Sequence, residues 1–530
     1  MHRCIVALKG SYVVQSNCVF QIQSQNMFDI ITICIGKYIM RSLLKYGKFA
    51  VFKNRSVLES LVGNESLLES RSNIFIPEAF EKLYFDRLLM DIKSGLYSDV
   101  FLDKQNDKRE FRIRFIEYLK SKDTKELGEY LSKSTILHIV ADQGYLEYVI
   151  YFADLNRLEV NRKNNDGKSP LHLASANGHN LITKELIIRD ANFDLLDQEG
   201  YSPLYLACAK GHVDTVTSLL SNKAAIRHNV TSLMSPLHLV CRNGHEILAE
   251  LLIQNGANVN GLYKNDGAPL HLASMKGHTK ICELLLYHDA TVNCIDAKDR
   301  TPLFYACKNN KLSVVKLLIA FKADPTIKAK DHRSVLHVIS EQGYTAIIDE
   351  LLKTDMNVDF RDSSGQTPLF LACMNGYTDI VMSLLLRKAD VNLCTTEGNS
   401  PLHIASKHGY LDVVSCLLDY NADVNKVNKE SKTPLYVACE KEHANIVEKL
   451  MKHTALVTVA DKLKQTPLHI ACLKGNAAIV KMLSAYSKKC ANIKDLRGRS
   501  PLSIASSRKG NDSLLKILQN GRPEAYSKVK

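Results

Sequence analysis

None of the 14 cysteines in the 530-residue sequence stands in a Cys-x-x-Cys pair. Six of them (Cys208, Cys241, Cys307, Cys373, Cys439 and Cys472) recur at one position that calls for a small side chain. That pattern argues against a disulfide framework and for reduced, buried thiols in a cytoplasmic or nuclear protein. No apolar run reaches the roughly twenty residues a membrane-crossing helix requires. The nearest approach, residues 27–40, carries Asp29 and Lys37, and the stretch Cys4–Leu8 is too short for a signal peptide. No Gly-, Pro- or Ser-rich linker interrupts the last three quarters of the chain, so one continuous array is expected there. Catalytic signatures are missing as well: there is no phosphate-binding loop, dinucleotide fingerprint, Gly-x-Ser-x-Gly or His-Glu-x-x-His, and His245-Glu246 lacks the second histidine. Outside the repetitive part only about 110 residues remain, short for a catalytic core. The chain is therefore read as non-enzymatic, without cofactor or metal.

What the sequence does contain is a period. Leucine recurs at 137, 171, 204, 237, 270, 303, 336, 369, 402, 435, 468 and 502, a spacing of 33 with 34 at each end. The same chemistry surrounds each leucine, as in Ser169-Pro170-Leu171-His172-Leu173-Ala174 and Thr301-Pro302-Leu303-Phe304-Tyr305-Ala306. Ser or Thr caps a helix and Pro is favoured at its first position, so each block opens a short helix. Seven residues after most of these leucines stands a glycine (Gly178, Gly211, Gly244, Gly277, Gly343, Gly376, Gly409, Gly475) suited to the left-handed turn that ends a helix. A second apolar-spaced helix follows, such as Ile380, Val381, Leu384 and Leu385, and then turn residues such as Glu397-Gly398. Asn310 and Glu442 replace the glycine in repeats six and ten, which are expected to be the softest links.

These residues resemble the ankyrin repeat family, whose signature is Thr-Pro-Leu-His-x-Ala at a 33-residue period. The resemblance covers about three quarters of the chain. It implies an all-α repeat solenoid of twelve units, each a β-turn hairpin plus an antiparallel helix pair, preceded by a mixed, mostly helical N-terminal region. The expected units span residues 132–165, 166–198, 199–231, 232–264, 265–297, 298–330, 331–363, 364–396, 397–429, 430–462, 463–496 and 497–522. The last is polar, with Arg499, Ser503, Ser506 and Lys509, as a terminal cap should be, and no further domain is expected after it. Residues 1–110 have no assigned fold beyond an amphipathic helix over Glu78–Ile92 and are expected to be partly disordered. Residues 111–132 repeat the internal spacing, with Phe115 in the leucine position, Lys122 in the glycine position and Leu131 closing the second helix. They are expected to form a degenerate capping helix pair.

Twelve of the 18 histidines occupy two recurring positions, after the leucine or after the helix-ending residue. The resemblance implies hydrogen bonds between neighbouring units there, a better account than zinc ligation. It also marks five positions per repeat as facing partners: six, five and three residues before the leucine and five and six after it. In the eleven repeats from Leu171 these carry 19 basic and 7 acidic residues, a larger excess than that of the whole segment from Lys133 onward. A clustered basic face attracts acidic partners. The expected function is a protein-binding scaffold or adaptor, monomeric and cytoplasmic or nuclear, that takes the acidic segment of a protein partner. The expected contacts are Lys210, Arg242, Lys264, Lys276, Lys298, Arg300, Lys308, Lys330 and Arg333, with Tyr201, Met234, Met275 and Met374 as apolar anchors. Nucleic acid is disfavoured because Tyr201 alone among these positions is aromatic. Two alternatives are a scaffold tethered to a membrane surface by the basic first 55 residues, and a subunit that recruits substrates to a larger enzyme complex.

Overall fold

The computed structural model describes residues 13–16, 19–22, 40–41, 44–45, 56–58, 61, 74–122, 135–226, 234–264, 266–486, 488–507 and 512–520. Contacts group the chain into two compact units, one of Met1–Val240 with Ile247–Ala257 and one of Cys241–Glu246 with Asn258–Lys530.

Helices of seven to ten residues do not hold in water alone, so each must bury a face on a neighbour. Twelve such pairs follow one another. In the first unit lie Ile136–Gln143 with Leu146–Leu155, Pro170–Ala176 with Asn180–Ile188, and Pro203–Lys210 with Val213–Ser221. The fourth pair is Pro236–Asn243 with Glu246–Gln254. The second unit continues with Pro269–Lys276 and Thr279–Tyr287, Pro302–Lys308 and Leu312–Ala320, Val335–Gln342 and Thr345–Leu351, and Pro368–Asn375 and Thr378–Leu386. It ends with Pro401–His408 and Leu411–Asp419, Pro434–Glu440 and Ala444–Lys452, Pro467–Lys474 and Ala477–Tyr486, and Pro501–Ser507 and Asp512–Asn520. Within each unit first helices pack on first helices and second on second. The recurring leucines lie at the centre: Leu336, Leu369, Leu402 and Leu435 are 0% exposed. Each contributes about 1.5–3 kcal/mol by leaving water.

Two capping chemistries alternate. Thr301, Thr367 and Thr433 accept a backbone N–H from Phe304, Phe370 and Tyr436, each at 3.2 Å. Where histidine follows the leucine, its Nδ1 accepts the backbone N–H three residues back: Ser169, Ala268, Ser334, Ser400 and Thr466 donate to His172, His271, His337, His403 and His469 at 3.0–3.1 Å. The same rings donate through Nε2 to a carbonyl of the next hairpin, on Tyr201, Arg300, Gln366, Lys432 and Arg499, at 3.0–3.1 Å. One ring thus closes a helix end and ties two repeats. This explains why Ala268, with no hydroxyl, is tolerated: the histidine supplies the cap.

The first helices end in the left-handed region, at φ 77° for Gly376 and φ 87° for Gly409. A Cβ there would also stand 2.8 Å from the Tyr410 ring and 2.7 Å from the His443 ring, so the next repeat seats an aromatic directly on the glycine. Asn310 and Glu442 adopt the same conformation at φ 54° and 65°. After Glu442 the overlying position holds Asn476, a short side chain whose Oδ1 accepts the Ile479 N–H at 3.2 Å. Replacing Glu442 by glycine is expected to stabilise the protein by about 1 kcal/mol, since an L-residue in this conformation costs about that much; thermal unfolding of E442Q and E442G separates backbone strain from loss of the charge.

The N-terminal region is mixed. β1 (Val13–Ser16) pairs antiparallel with β2 (Val19–Ile22), and β3 (Ser56–Leu58) pairs parallel with β4 (Ile74–Ile76). Three helices follow: α1 (Glu81–Lys93), α2 (Tyr97–Phe101) and α3 (Arg109–Lys120). α1 covers most of the expected amphipathic span. α2 packs on the first helix of repeat one and α3 on the second, taking the place of a preceding repeat. Their junction is aromatic, with Phe85–Phe115 and Phe101–Tyr148 ring centroids 5.2 Å apart, and Tyr148 donates to Asn106 at 2.8 Å. The expected helix pair over residues 111–132 falls only partly on the described residues. Phe115 lies inside α3, which ends at Lys120 just before Lys122, and α2 begins earlier, at Tyr97. Leu131 lies outside the described residues.

Candidate protein-binding face

The hairpins that join repeats are built by side chains that accept their own backbone. Asp296 Oδ1 accepts the N–H groups of Lys298 and Arg300 at 2.7 and 2.9 Å, bending the chain so that Lys298 projects into water. Neighbouring hairpins are bonded tip to tip in the second unit. Lys330 N–H donates to Lys298 O at 3.1 Å, Ser363 to Asp331 at 3.1 Å, Thr396 to Ser364 at 3.0 Å, Lys429 to Glu397 at 3.1 Å, Lys462 to Glu430 at 3.2 Å and Leu496 to Leu463 at 3.0 Å. Side chains on adjacent tips are thereby held in fixed register.

Between repeats six and seven this register produces a cleft of about 460 Å³. Phe304, Ala329 and Val338 are buried in its floor, and Lys298, Arg300, Lys308, Lys330 and Arg333 line it together with Asp331 and Glu341. Five of the expected contacts therefore meet in one place. Their states differ. Lys298, Lys308 and Lys330 are exposed, and no described residue forms an ion pair with them. Arg300 is held beneath: its guanidinium pairs with Asp296 at 2.8 Å and lies 4.7 Å over the Tyr305 ring, whose hydroxyl donates to the same carboxylate at 2.7 Å. Burial opposes the charge of Asp296, but the Tyr305 hydroxyl and the Arg300 and Lys298 N–H groups outweigh it and hold the carboxyl below its usual range. Arg333 pairs with Glu341 at 2.6 Å. Arg300 is thus a structural cation, and the lysines are the ones open to a ligand.

A second cleft of about 320 Å³ between repeats nine and ten is balanced, since Lys407, Lys432 and Lys441 face Glu397, Glu430 and Glu440. Lys432 is bonded to both Glu430 and Glu440, at 2.9 and 3.0 Å. The basic excess does not extend evenly along the second unit.

The other expected contacts do not line the first cleft. Arg242, Lys264 and Lys276 are exposed in the same unit, Lys264 with its ammonium 5.5 Å from the Tyr263 ring centroid. Met275 and Met374 are half-buried. In the first unit Lys210 is exposed, and Tyr201 is half-buried and stacked on Tyr205 at 4.6 Å. Met234, just ahead of the helix at Pro236, is 8% exposed and belongs to the core, which leaves little of its side chain for a partner. The residues that sequence reasoning passed over are Glu341, Asp331 and the Phe304 and Val338 floor. A base three residues before a recurring leucine and an acid five after it, Arg333 with Glu341 and Lys432 with Glu440, was the available signal.

The recurring cysteines are buried free thiols, and burial pushes Cys208 and Cys472 up to about 12, away from nucleophilic use. Among the described residues no three His, Cys, Asp or Glu side chains are grouped to hold a metal ion, and no helix is long and apolar enough to cross a membrane. The basic first 55 residues, the expected tether, lie mostly outside the described residues.

A family model described as "Ankyrin repeats (3 copies)" matches residues 111–193, 175–262, 237–331, 303–393, 381–461 and 455–526. No curated protein matches the chain. Solved structures similar to it include the crystal structure of the human ASB11 ankyrin repeat domain, 30% identical over 41% of this chain and 97% of that one, with a TM-score of 0.38. With the family model matched nearly end to end from residue 111, the chain belongs to the ankyrin repeat family.

Proposed function

We propose that the chain is a non-enzymatic adaptor that captures the acidic segment of a protein partner in the cleft between repeats six and seven. Ankyrin repeats are protein–protein interaction modules, which sets the class of partner. The observation that carries the finer reading is the meeting of Lys298, Lys308 and Lys330, unpaired among the described residues, around the apolar floor of Phe304 and Val338. Clustered cations raise the association rate with an acidic segment and make it sensitive to salt. The floor receives an apolar side chain, and Arg333 offers a planar fork for a carboxylate.

Reversal of all three lysines to glutamate is the direct test. Arg300 is left alone, because removing it would strand the buried Asp296 carboxylate. The triple variant is expected to keep the far-UV circular dichroism and melting of the parent while losing partner capture at least roughly ten-fold. Partners of the parent are expected to be released as salt rises to about 0.5 M. Equal recovery of the same partners by both proteins would overturn the assignment.

A further inference from the structure

The cleft already holds one carboxylate. Glu341 Oε2 sits 2.6 Å from Nη2 of Arg333, with the Glu341 side chain 35% exposed and the Arg333 side chain 24%. The Nε of Arg333 is buried and, among the described residues, has no hydrogen-bond partner. Arginine binds carboxylates best through two parallel N–H groups, and Nε with Nη2 forms one such edge. Glu341 occupies half of that edge from eight residues along the chain, and the other half has no partner among the described residues.

We infer that Glu341 is a resident stand-in for a carboxylate of the partner, displaced when an acidic segment enters. This rests on the reading of the cleft as the binding site and adds what the ligand must look like. The incoming carboxylate takes both Nε and Nη2 of Arg333, a two-point pairing that Glu341 does not make. Lys298 and Lys330 stand on adjacent hairpin tips joined by the 3.1 Å backbone bond, and Lys308 closes the helical side. Carboxylates flanking that fork meet these three cations, and one apolar side chain between them rests on Phe304 and Val338. The partner is an extended peptide segment in which acidic residues bracket an apolar one. Asp331 at the rim disfavours a ligand that is negative at every position, because its own charge faces the cleft. Released from Arg333, Glu341 remains near the entrance as a like charge, so its presence weakens every acidic ligand and its removal strengthens it.

The equivalent pair in repeat ten supplies an internal control. Lys432 is bonded to Glu440 at the same two positions of its repeat but is also held by Glu430, in a cleft whose charges balance.

Fluorescence anisotropy of the full chain with a labelled Glu-Glu-Leu-Glu-Glu peptide tests the assignment. E341Q is expected to bind about three- to ten-fold more tightly than the parent, the gain expected when a competing charge leaves an arginine fork. R333K, which keeps the charge and removes the fork, is expected to bind at least roughly ten-fold more weakly. E440Q is expected to match the parent. Circular dichroism melts of all three verify that the fold is kept. If E341Q binds no better, or R333K binds as the parent does, while the Lys298, Lys308 and Lys330 reversal still abolishes binding, the displacement is overturned and the basic cleft stands. If neither the parent nor E341Q binds the peptide, or a single-stranded oligonucleotide displaces it at lower concentration than unlabelled peptide does, the reading of the cleft falls and this inference with it.

Discussion

Lowering the pH from 7 to 4.5 is expected to remove several kcal/mol of folding stability, most of it before any carboxylate titrates. Burial pushes His172 and His403 down to about 4 and lowers His138, His271, His337 and His469, against carbonyl hydrogen bonds that pull the other way. In the unfolded chain a histidine takes its proton near pH 6.5. The unfolded state therefore binds protons first, so the contribution is complete above that value and is lost as the pH falls from about 6.5 towards 4. For His172 and His403, 0% and 2% exposed, the shift corresponds to about 3 kcal/mol each. The structural reason is that Nδ1 accepts the capping N–H; a protonated ring would turn a second donor onto it. Urea unfolding followed by circular dichroism at pH 7, 5.5 and 4.5 measures the loss, with H403Q expected to flatten the slope. A stability unchanged over that range would refute the account.

Gly376→Ala is expected to cost roughly 2–4 kcal/mol from a single methyl group. Two causes add. At φ 77° an L-residue is strained, and its Cβ would stand 2.8 Å from Cδ1 and Cε1 of the Tyr410 ring. The second cause belongs to a neighbour and can be removed separately. In the double variant with Tyr410→Ala the steric part disappears and the backbone part, about 1–2 kcal/mol, remains. A double-mutant cycle by thermal unfolding tests this: a coupling energy of zero would mean the ring does not press on the glycine.

The register of the repeats was legible because each unit restates the same evidence. A capping hydroxyl, a proline, a leucine and a glycine at fixed offsets leave one local solution, and twelve copies remove the ambiguity that a single helix of eight residues would have. The histidines could also be placed, since their position three residues into the helix recurs. The N-terminal cover rests on one degenerate copy of the pattern. Phe115 and Lys122 are seven residues apart, the spacing of leucine and glycine in a repeat. α3 ends at Lys120, just short of Lys122, and the second half of the expected pair lies outside the described residues. At the basic face the excess of charge was visible, whereas the state of each charge was not. Whether an arginine is free depends on what lies beneath it, as Asp296 lies beneath Arg300, or across the helix from it, as Glu341 lies across from Arg333. Met234 was taken for exposed by its offset alone; its depth follows from packing that the offset does not carry.

The alternation of capping chemistry has a consequence for how the second unit comes apart. Titratable rings join repeat five to six, seven to eight, nine to ten and eleven to twelve, through His271, His337, His403 and His469. The intervening repeats carry Phe304, Phe370 and Tyr436 at the same position, side chains that take up no proton near pH 5. Acid therefore acts on every second coupling of the train, and on the helix ends that the same rings close. The lysine-ringed cleft spans a joint that none of these rings bridges, between repeats six and seven, though one of its walls begins at the helix end that His337 closes.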